Sequence, residues 1–178
     1  MASSAPDRLT PRAREIVTAA REVLESEGLA ALTMRNVAAR LGIRAPSLYK
    51  HFPDKDALEA AIISDGFVEM AEEFEGAGDD GAASLVDLAA AYRAFARAHP
   101  HLYRLMTDQE LRRDLLVPGV EDRAALPVYL AAGEDADRAR AAWAFAHGMT
   151  MLELTGRFPP GADVEAAWDT GLRAFTAR

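Results

Sequence analysis

Residues 33–55, which read TMRNVAARLGIRAPSLYKHFPDK, predict two short helices joined by a tight glycine turn. Thr33 can accept a hydrogen bond from the free backbone amides of the helix that follows it. Gly42 stands where a helix commonly ends in a left-handed residue, and Ile43 can pack back onto that helix. A second helix can begin near Ala45, because the proline after it suits a first turn. This order is a helix-turn-helix, so the stretch predicts sequence-specific DNA binding.

The apolar residues of this stretch recur at helical spacing and define one inner face for each helix. In the first helix they are Met34, Val37, Ala38 and Leu41. In the second, Leu48 and Phe52 form the anchor, and small residues and hydrogen-bond donors point outward. Such an outer face suits insertion into a major groove. Taken singly, Tyr49 could be core and Lys50 and His51 could be an ordinary solvated face, but the combination favours DNA contact.

Charge is distributed unevenly along the chain. The whole sequence of 178 residues carries a net charge of −8, which by itself disfavours a phosphate backbone. Residues 33–55, however, hold five basic side chains against one acidic, whereas residues 60–178 hold 11 basic against 20 acidic. We therefore expect a small positive patch on an acidic body that keeps non-specific DNA binding low.

The run Leu48-Tyr49-Lys50-His51-Phe52, followed by Asp54-Lys55, resembles the N-terminal DNA-binding domain of TetR-family transcriptional regulators, and the match covers about residues 12–60. The resemblance implies that Thr33, Tyr49 and Lys55 hold phosphates, and that residues 44–47 and Lys50 face bases. Arg44 departs from the family pattern, in which serine often caps the recognition helix. The residues predicted to contact DNA are Thr33, Arg35, Arg44, Ala45, Pro46, Ser47, Tyr49, Lys50, His51 and Lys55.

The remaining sequence also favours helices, and no strand-like alternation competes with them. The predicted fold is all-α: a three-helix helix-turn-helix domain followed by an α-helical ligand-binding and dimerisation domain. We assign residues 1–10 to a flexible N-terminus, 11–53 to the DNA-binding domain and 54–178 to the regulatory domain. The predicted helices cover 11–27, 34–41, 45–52, 54–74, 85–98, 102–106, 120–132 (broken near Pro127), 135–155 and 163–177, with a flexible loop at 76–83.

Residues 135–155 are apolar or small on nearly every helical face, so this helix should be buried on all sides. A chain this short predicts a partner subunit for that purpose, hence a homodimer. The predicted dimer interface consists of Phe145, Gly148, Met149, Leu152, Trp168, Leu172 and Phe175.

Trp143, His147 and Gly148, preceded by residues 99–106, resemble the C-terminal domain of a TetR subset that is named WHG for those three residue types. The resemblance implies a helical sensor and dimerisation domain. Simple core packing of Trp143 and His147 is the alternative to ligand contact. The predicted effector pocket consists of Phe67, Met70, Tyr92, Phe95, Tyr103, Met106, Trp143, His147 and Met151, a lining that suits an apolar or aromatic ligand.

Other classes of protein are disfavoured by what the sequence lacks. It has no cysteine and no run of about 20 apolar residues, and its first ten residues do not resemble a secretion signal, so we expect a cytoplasmic protein. His99 and His101 could be imagined as metal ligands of an enzyme. There is, however, no His-Glu-x-x-His pair, no phosphate loop and no nucleophile elbow, so we expect no catalysis, metal or cofactor.

These features predict a transcriptional regulator, in particular a ligand-responsive repressor. As a homodimer it would bind a palindromic operator and be released by a small apolar or aromatic effector. Two alternatives remain open at this point: a helical protein-interaction module, and a regulator that works without an effector. The sequence identifies neither the operator nor the effector, and the preference for repression comes from the family resemblance.

Overall fold

A computed structural model describes residues 9–78 and 83–176, which contain helices and no strand. The α-helices in these ranges are α1 (Pro11–Glu27), α2 (Met34–Arg40), α3 (Lys55–Glu75), α4 (Leu85–Ala98), α5 (Pro100–Thr107), α6 (Val120–Ala131), α7 (Ala136–Leu154) and α8 (Val164–Thr176). The predicted all-α fold is confirmed. Most of the predicted flexible N-terminus, the middle of the predicted loop and residue 177 of the last predicted helix lie outside the described residues.

The described residues form two compact units. The N-terminal unit comprises residues 9–66 and 101–118, and the C-terminal unit comprises 67–78, 83–100 and 119–176. Helix α3 contributes to both. The units therefore do not divide at residues 53 and 54, where the sequence analysis places the domain boundary. Leu58 and Ile62 of α3 are buried, and Leu102 approaches the bare backbone of Gly66, so this half of α3 packs in the N-terminal unit.

Local hydrogen bonds explain where the first helices begin and end. Thr10 accepts from the Ala13 amide at 3.2 Å and caps α1, and Thr33 accepts from the Asn36 amide at 3.1 Å and caps α2. The Asn36 side chain donates instead to the Ala31 carbonyl at 2.8 Å, so no capping box forms. Gly42 has φ +65°, and the Ile43 amide donates to the Ala38 carbonyl at 2.9 Å, which is the predicted turn.

The second helix of the motif is a 3₁₀ helix, Ala45–Lys50, which we call the recognition helix. Arg44 precedes it in extended conformation and makes no side-chain cap, as its chemistry predicts. Asp54 then accepts from the Ala57 amide at 2.8 Å and caps α3. The chain thus leaves the recognition helix and enters α3 within a few residues.

In the C-terminal unit, α4 packs against α6, α7 and α8. Ser84 and Asp87 form a capping box at the start of α4, and the Ser84 hydroxyl lowers the pKa of the Asp87 carboxyl by hydrogen bonding. Helix α6 runs through Pro127 without the predicted interruption. None of the helices within the described ranges is both long and apolar enough to cross a membrane.

Helix α7 is only partly covered within one chain. Within one chain it buries Ala142, Ala146, Met149 and Thr150, but it leaves Trp143 and Leu152 exposed by 52% and 42%. The expectation of burial on all sides is therefore not met by a single chain. Its apolar composition reflects two kinds of surface, one covered by α4, α6 and α8 and one left open.

Candidate nucleic-acid interface

The recognition helix is held by its apolar side and presents its polar side to solvent. Leu48 is fully buried and Phe52 is 4% exposed, and the amides of His51 and Phe52 both donate to the Leu48 carbonyl. Tyr49 is 51% exposed, so its alternative assignment to the core is wrong. Lys50 and His51 are exposed beside it. Two buried side chains thus fix the orientation of a short row of donors.

The ten predicted DNA-contacting residues all belong to the N-terminal unit, and nine of them are exposed. The exception is Ala45, the first residue of the recognition helix, which is half-buried. Pro46 and Ser47 follow it on the exposed side. Small residues at this end allow the backbone to approach base edges closely, which is the geometry that groove insertion requires.

The basic side chains near the recognition helix fall into two groups. Arg40 binds two acids of α1, Glu22 at 3.4 Å and Glu27 at 2.8 Å, and Lys55 Nζ lies 2.7 Å from Glu59 Oε1. Across residues 9–78 and 83–176, by contrast, no side-chain hydrogen bond or ion pair is found for Arg35, Arg44 or Lys50.

The positive patch is therefore smaller than the sequence count suggests. The five basic residues of 33–55 include Arg40, whose charge is offset by two carboxylates of the neighbouring helix. Three cations are left to meet a phosphate backbone, and they are supplemented by neutral donors such as Thr33, Ser47 and Tyr49. Lys55 can bind a phosphate only if its ammonium group leaves the Glu59 carboxylate.

Comparison with known proteins agrees with this geometry. Residues 16–62 match the family described as bacterial regulatory proteins, tetR family, and residues 85–175 match the Tetracyclin repressor-like, C-terminal domain. Together these matches cover most of the chain. The chain belongs to the TetR family of transcriptional regulators. The members of this family are DNA-binding transcription factors and not enzymes, so the predicted absence of catalysis holds.

Two curated regulators are similar to this TetR-family regulator in sequence. The uncharacterised HTH-type transcriptional regulator Rv0681 of Mycobacterium tuberculosis is 32% identical over 152 residues, which cover 79% of this chain and 69% of that protein. The HTH-type transcriptional repressor DrrR1 of Streptomyces coeruleorubidus is 33% identical over 107 residues, or 60% of this chain and 39% of the repressor.

Among solved structures, the multidrug binding protein EbrR, crystallised with imidazole, superposes with a TM-score of 0.62 at 25% identity. The superposition covers 92% of this chain and 94% of EbrR. The regulator therefore shares its fold with EbrR along almost its whole length.

The predicted effector-pocket residues are distributed over both compact units. Tyr103 and Met106 are buried in the N-terminal unit, and the other seven belong to the C-terminal unit. There, Tyr92 Oη lies 3.5 Å from His147 Nδ1, and the Trp143 ring stacks on His147 with centroids 6.0 Å apart. Trp143 is half exposed, so simple core packing, the alternative for this residue, is wrong. The remaining residues are Met70 and Phe95, which are buried, and Phe67 and Met151, which are partly exposed.

The predicted dimer interface needs correction. Met149, Trp168 and Leu172 are buried within one chain, so their side chains are not available to a partner. The Phe145 ring packs on Trp168 and Phe175, with centroids 5.6 and 5.8 Å apart, but Phe145 and Phe175 both stay partly exposed. Sequence periodicity could not separate contacts between α7 and α8 from contacts between copies.

Gly148 and Leu152 remain as interface candidates. A side chain at Gly148 would meet open space, and Leu152 is exposed. Ala141 and Ala144, which the sequence analysis did not single out, are exposed on the same face, since positions 141, 144, 148 and 152 recur at helical spacing. This is one face that α7 leaves uncovered, and Trp143, which is also exposed, lies on the opposite side of the helix.

A second group that the sequence analysis missed is centred on Arg93 of α4. Its guanidinium binds Glu165 through two bonds of 2.7 and 2.8 Å and Glu153 through bonds of 2.8 and 3.1 Å, and it lies 5.3 Å from the Trp168 ring centroid. The hydrogen bonds that Arg93 donates to Glu165 lower the pKa of the Glu165 carboxyl and raise the pKa of the Arg93 guanidinium. This network ties α4, α7 and α8 together.

Proposed function

We propose that this regulator binds a near-palindromic operator as a homodimer and represses transcription until a small apolar or aromatic effector releases it. The observation that carries the DNA-binding part is the recognition helix, anchored by Leu48 and Phe52, with Tyr49, Lys50 and His51 exposed. Repression is supported by the similarity to DrrR1, and effector binding by the similarity to the multidrug binding protein EbrR.

In this proposal phosphate contacts come from exposed donors on both sides of the groove. Thr33 and Arg35 at the start of α2, together with Tyr49, hold phosphates, and Lys55 joins them when it leaves Glu59. Ala45, Pro46, Ser47 and Lys50 face base edges, and Arg44 holds a phosphate at the rim of the groove. Only the base-facing group contributes to the choice of sequence.

The partner in the dimer is a second copy packed on the open face of α7. Ala141, Ala144 and Gly148 are small enough for two helices to approach closely, and Leu152 supplies an exposed apolar side chain at one end. To bind two half-sites of an operator, such a dimer would need its two recognition helices about one turn of DNA, roughly 34–36 Å, apart.

The effector site would lie in the C-terminal unit around Tyr92, His147 and Trp143. These side chains combine aromatic surface with a few polar atoms, which is the usual lining of a site for a small ligand. An effector lowers operator affinity tenfold if it prefers the non-binding conformation by about 1.4 kcal/mol. A modest difference in contacts is therefore enough for release.

The DNA-binding assignment is tested by operator titration of variants. An operator is first selected from random duplexes with the full chain, and the affinities of Tyr49→Ala and Lys50→Ala are then measured by gel shift at several salt concentrations. Each substitution removes an exposed donor, so we expect affinity to fall by roughly 1–3 kcal/mol with the fold intact. Arg157→Ala, which removes an exposed charge of the C-terminal unit, is the control. Wild-type affinity in both test variants would reject the assignment.

A further inference from the structure

A cavity of about 150 Å³ lies in the N-terminal unit between α3 and the segment that follows α5. Four residues of α3, Asp56, Glu59, Ala60 and Ile63, line one wall, and their spacing of three, four and seven places them on one helical face. The wall begins one residue after Lys55. This cavity is separate from the residues assigned above to DNA or to an effector.

Glu59 is the most deeply placed charge of the cavity. The residue is 9% exposed, and its Oε1 is buried without a hydrogen bond from any described group. The Lys55 ammonium lies 2.7 Å away but outside hydrogen-bonding geometry, and its side chain is 44% exposed. A buried carboxylate whose one counter-charge belongs to an exposed side chain is only partly compensated for the loss of water.

The other charged residues of the cavity leave its lining with a net negative charge. Arg112 is the basic residue of the lining, and its guanidinium is already bound by Asp114 at 2.9 and 3.0 Å and by Asp56 at 3.4 Å. Glu110 is exposed at the rim and, within the parts of the chain that are described, has no ion-pair partner. Glu59 and Glu110 are therefore the charges that remain to attract a cation.

Apart from the exposed Gln109, the rest of the lining is apolar. Ala60 and Ile63 face Leu105, Leu111 and Leu116, so half of the lining residues offer only hydrocarbon. The described residues contain no group of three acidic or histidine side chains placed to hold a metal ion. A bare cation would leave this hydrocarbon in contact with water, whereas an alkyl group would cover it.

We infer that this cavity binds a small organic cation, an amine with a short alkyl chain. Its ammonium group pairs with Glu59, and its alkyl chain contacts Ile63, Leu105 and Leu111. The volume is below the roughly 300–1,000 Å³ of drug-sized sites, which limits the ligand to a handful of non-hydrogen atoms. The ligand competes with Lys55 for the same carboxylate, so Lys55 and the amine oppose each other.

The test is an amide NMR titration of the full chain with n-butylammonium chloride, without DNA. We expect saturable shifts at Ala60 and Leu111, and no such shifts with n-butanol or with sodium chloride at equal ionic strength. Glu59→Gln should weaken binding by about tenfold or more, because the charged partner is lost. Glu73→Gln removes the same charge at an exposed position of α3 and should leave the affinity unchanged.

Lys55→Met should change the amine affinity in the opposite direction. It is a second test of the inference that still holds if Glu59→Gln fails to fold. Without its competitor the amine should bind several-fold more tightly. Equal binding of n-butanol, shifts that do not saturate, undiminished affinity in folded Glu59→Gln, or unchanged or weaker affinity in Lys55→Met would each overturn the inference. No operator is present in this titration, so its result is independent of whether the proposed function holds.

Discussion

Arg40 and Arg44 carry the same charge four residues apart, yet they lie in different surroundings. Arg40 is bound by Glu22 and Glu27, which precede it by 18 and 13 residues, whereas Arg44 has no partner among the described side chains. A count of charges along the sequence could not make this distinction. The acids become neighbours of Arg40 only when α1 packs on α2.

This difference predicts unequal effects on DNA binding. Arg44→Ala should reduce the slope of log affinity against log salt by about one for each chain bound, since one phosphate contact is lost. Arg40→Ala should leave that slope nearly unchanged and cost at most about 1 kcal/mol of stability, because it removes a partly exposed ion pair. Salt-dependent gel shifts measure the first effect and urea unfolding measures the second. Equal slopes for the two variants would contradict the assignment.

At the scale of helices, the boundaries could be predicted because their causes are local. Thr33, Gly42 and Asp54 each act within four residues of their position, and the structure places each where the sequence pattern predicts it. The partners of a helical face are not local. Met149, Trp168 and Leu172 look the same in sequence whether they pack within a chain or between copies, so their role could not be predicted.

The packing of α7 on α8 gives a prediction for Gly171. The Phe145 ring lies so close to the Gly171 backbone that a methyl group at this position would overlap it. This close approach is possible because glycine has no side chain. Gly171→Ala should therefore lower the free energy of unfolding. Overpacking costs about 1–3 kcal/mol, which outweighs the gain of up to about 1 kcal/mol in helix propensity. Urea unfolding measures the change.

The matched control is Gly171→Ala in a variant that has a smaller side chain at position 145. In a Phe145→Leu background the added methyl group has more room, so Gly171→Ala should cost less than in the wild type. A clear stabilisation by Gly171→Ala in the wild-type background would show that α7 and α8 do not pack as described.

At the scale of the whole molecule, the proposed dimer depends on a surface that one chain leaves open. Leu152 and the small residues Ala141, Ala144 and Gly148 share that face of α7. The sequence indicated that a partner is needed, since α7 is apolar on nearly every side. The structure narrows the candidates, because several of the predicted residues are used within the chain.

We predict that Leu152→Glu converts the dimer to monomers, because the new carboxylate would be buried against the second copy without a partner charge. Val86→Glu places the same charge at an exposed apolar position of α4 and should leave the dimer intact. Sedimentation velocity distinguishes the two species. If both variants remain dimeric, the interface lies elsewhere.

Hydroxyl-radical footprinting on a selected operator tests the central claim that a paired molecule reads DNA with residues 45–51. The account predicts two protected patches on one face of the duplex, separated by about one helical turn of roughly 10–10.5 base pairs and both weakened by Lys50→Ala. A single protected patch, or a footprint that is unchanged in Lys50→Ala, would contradict it.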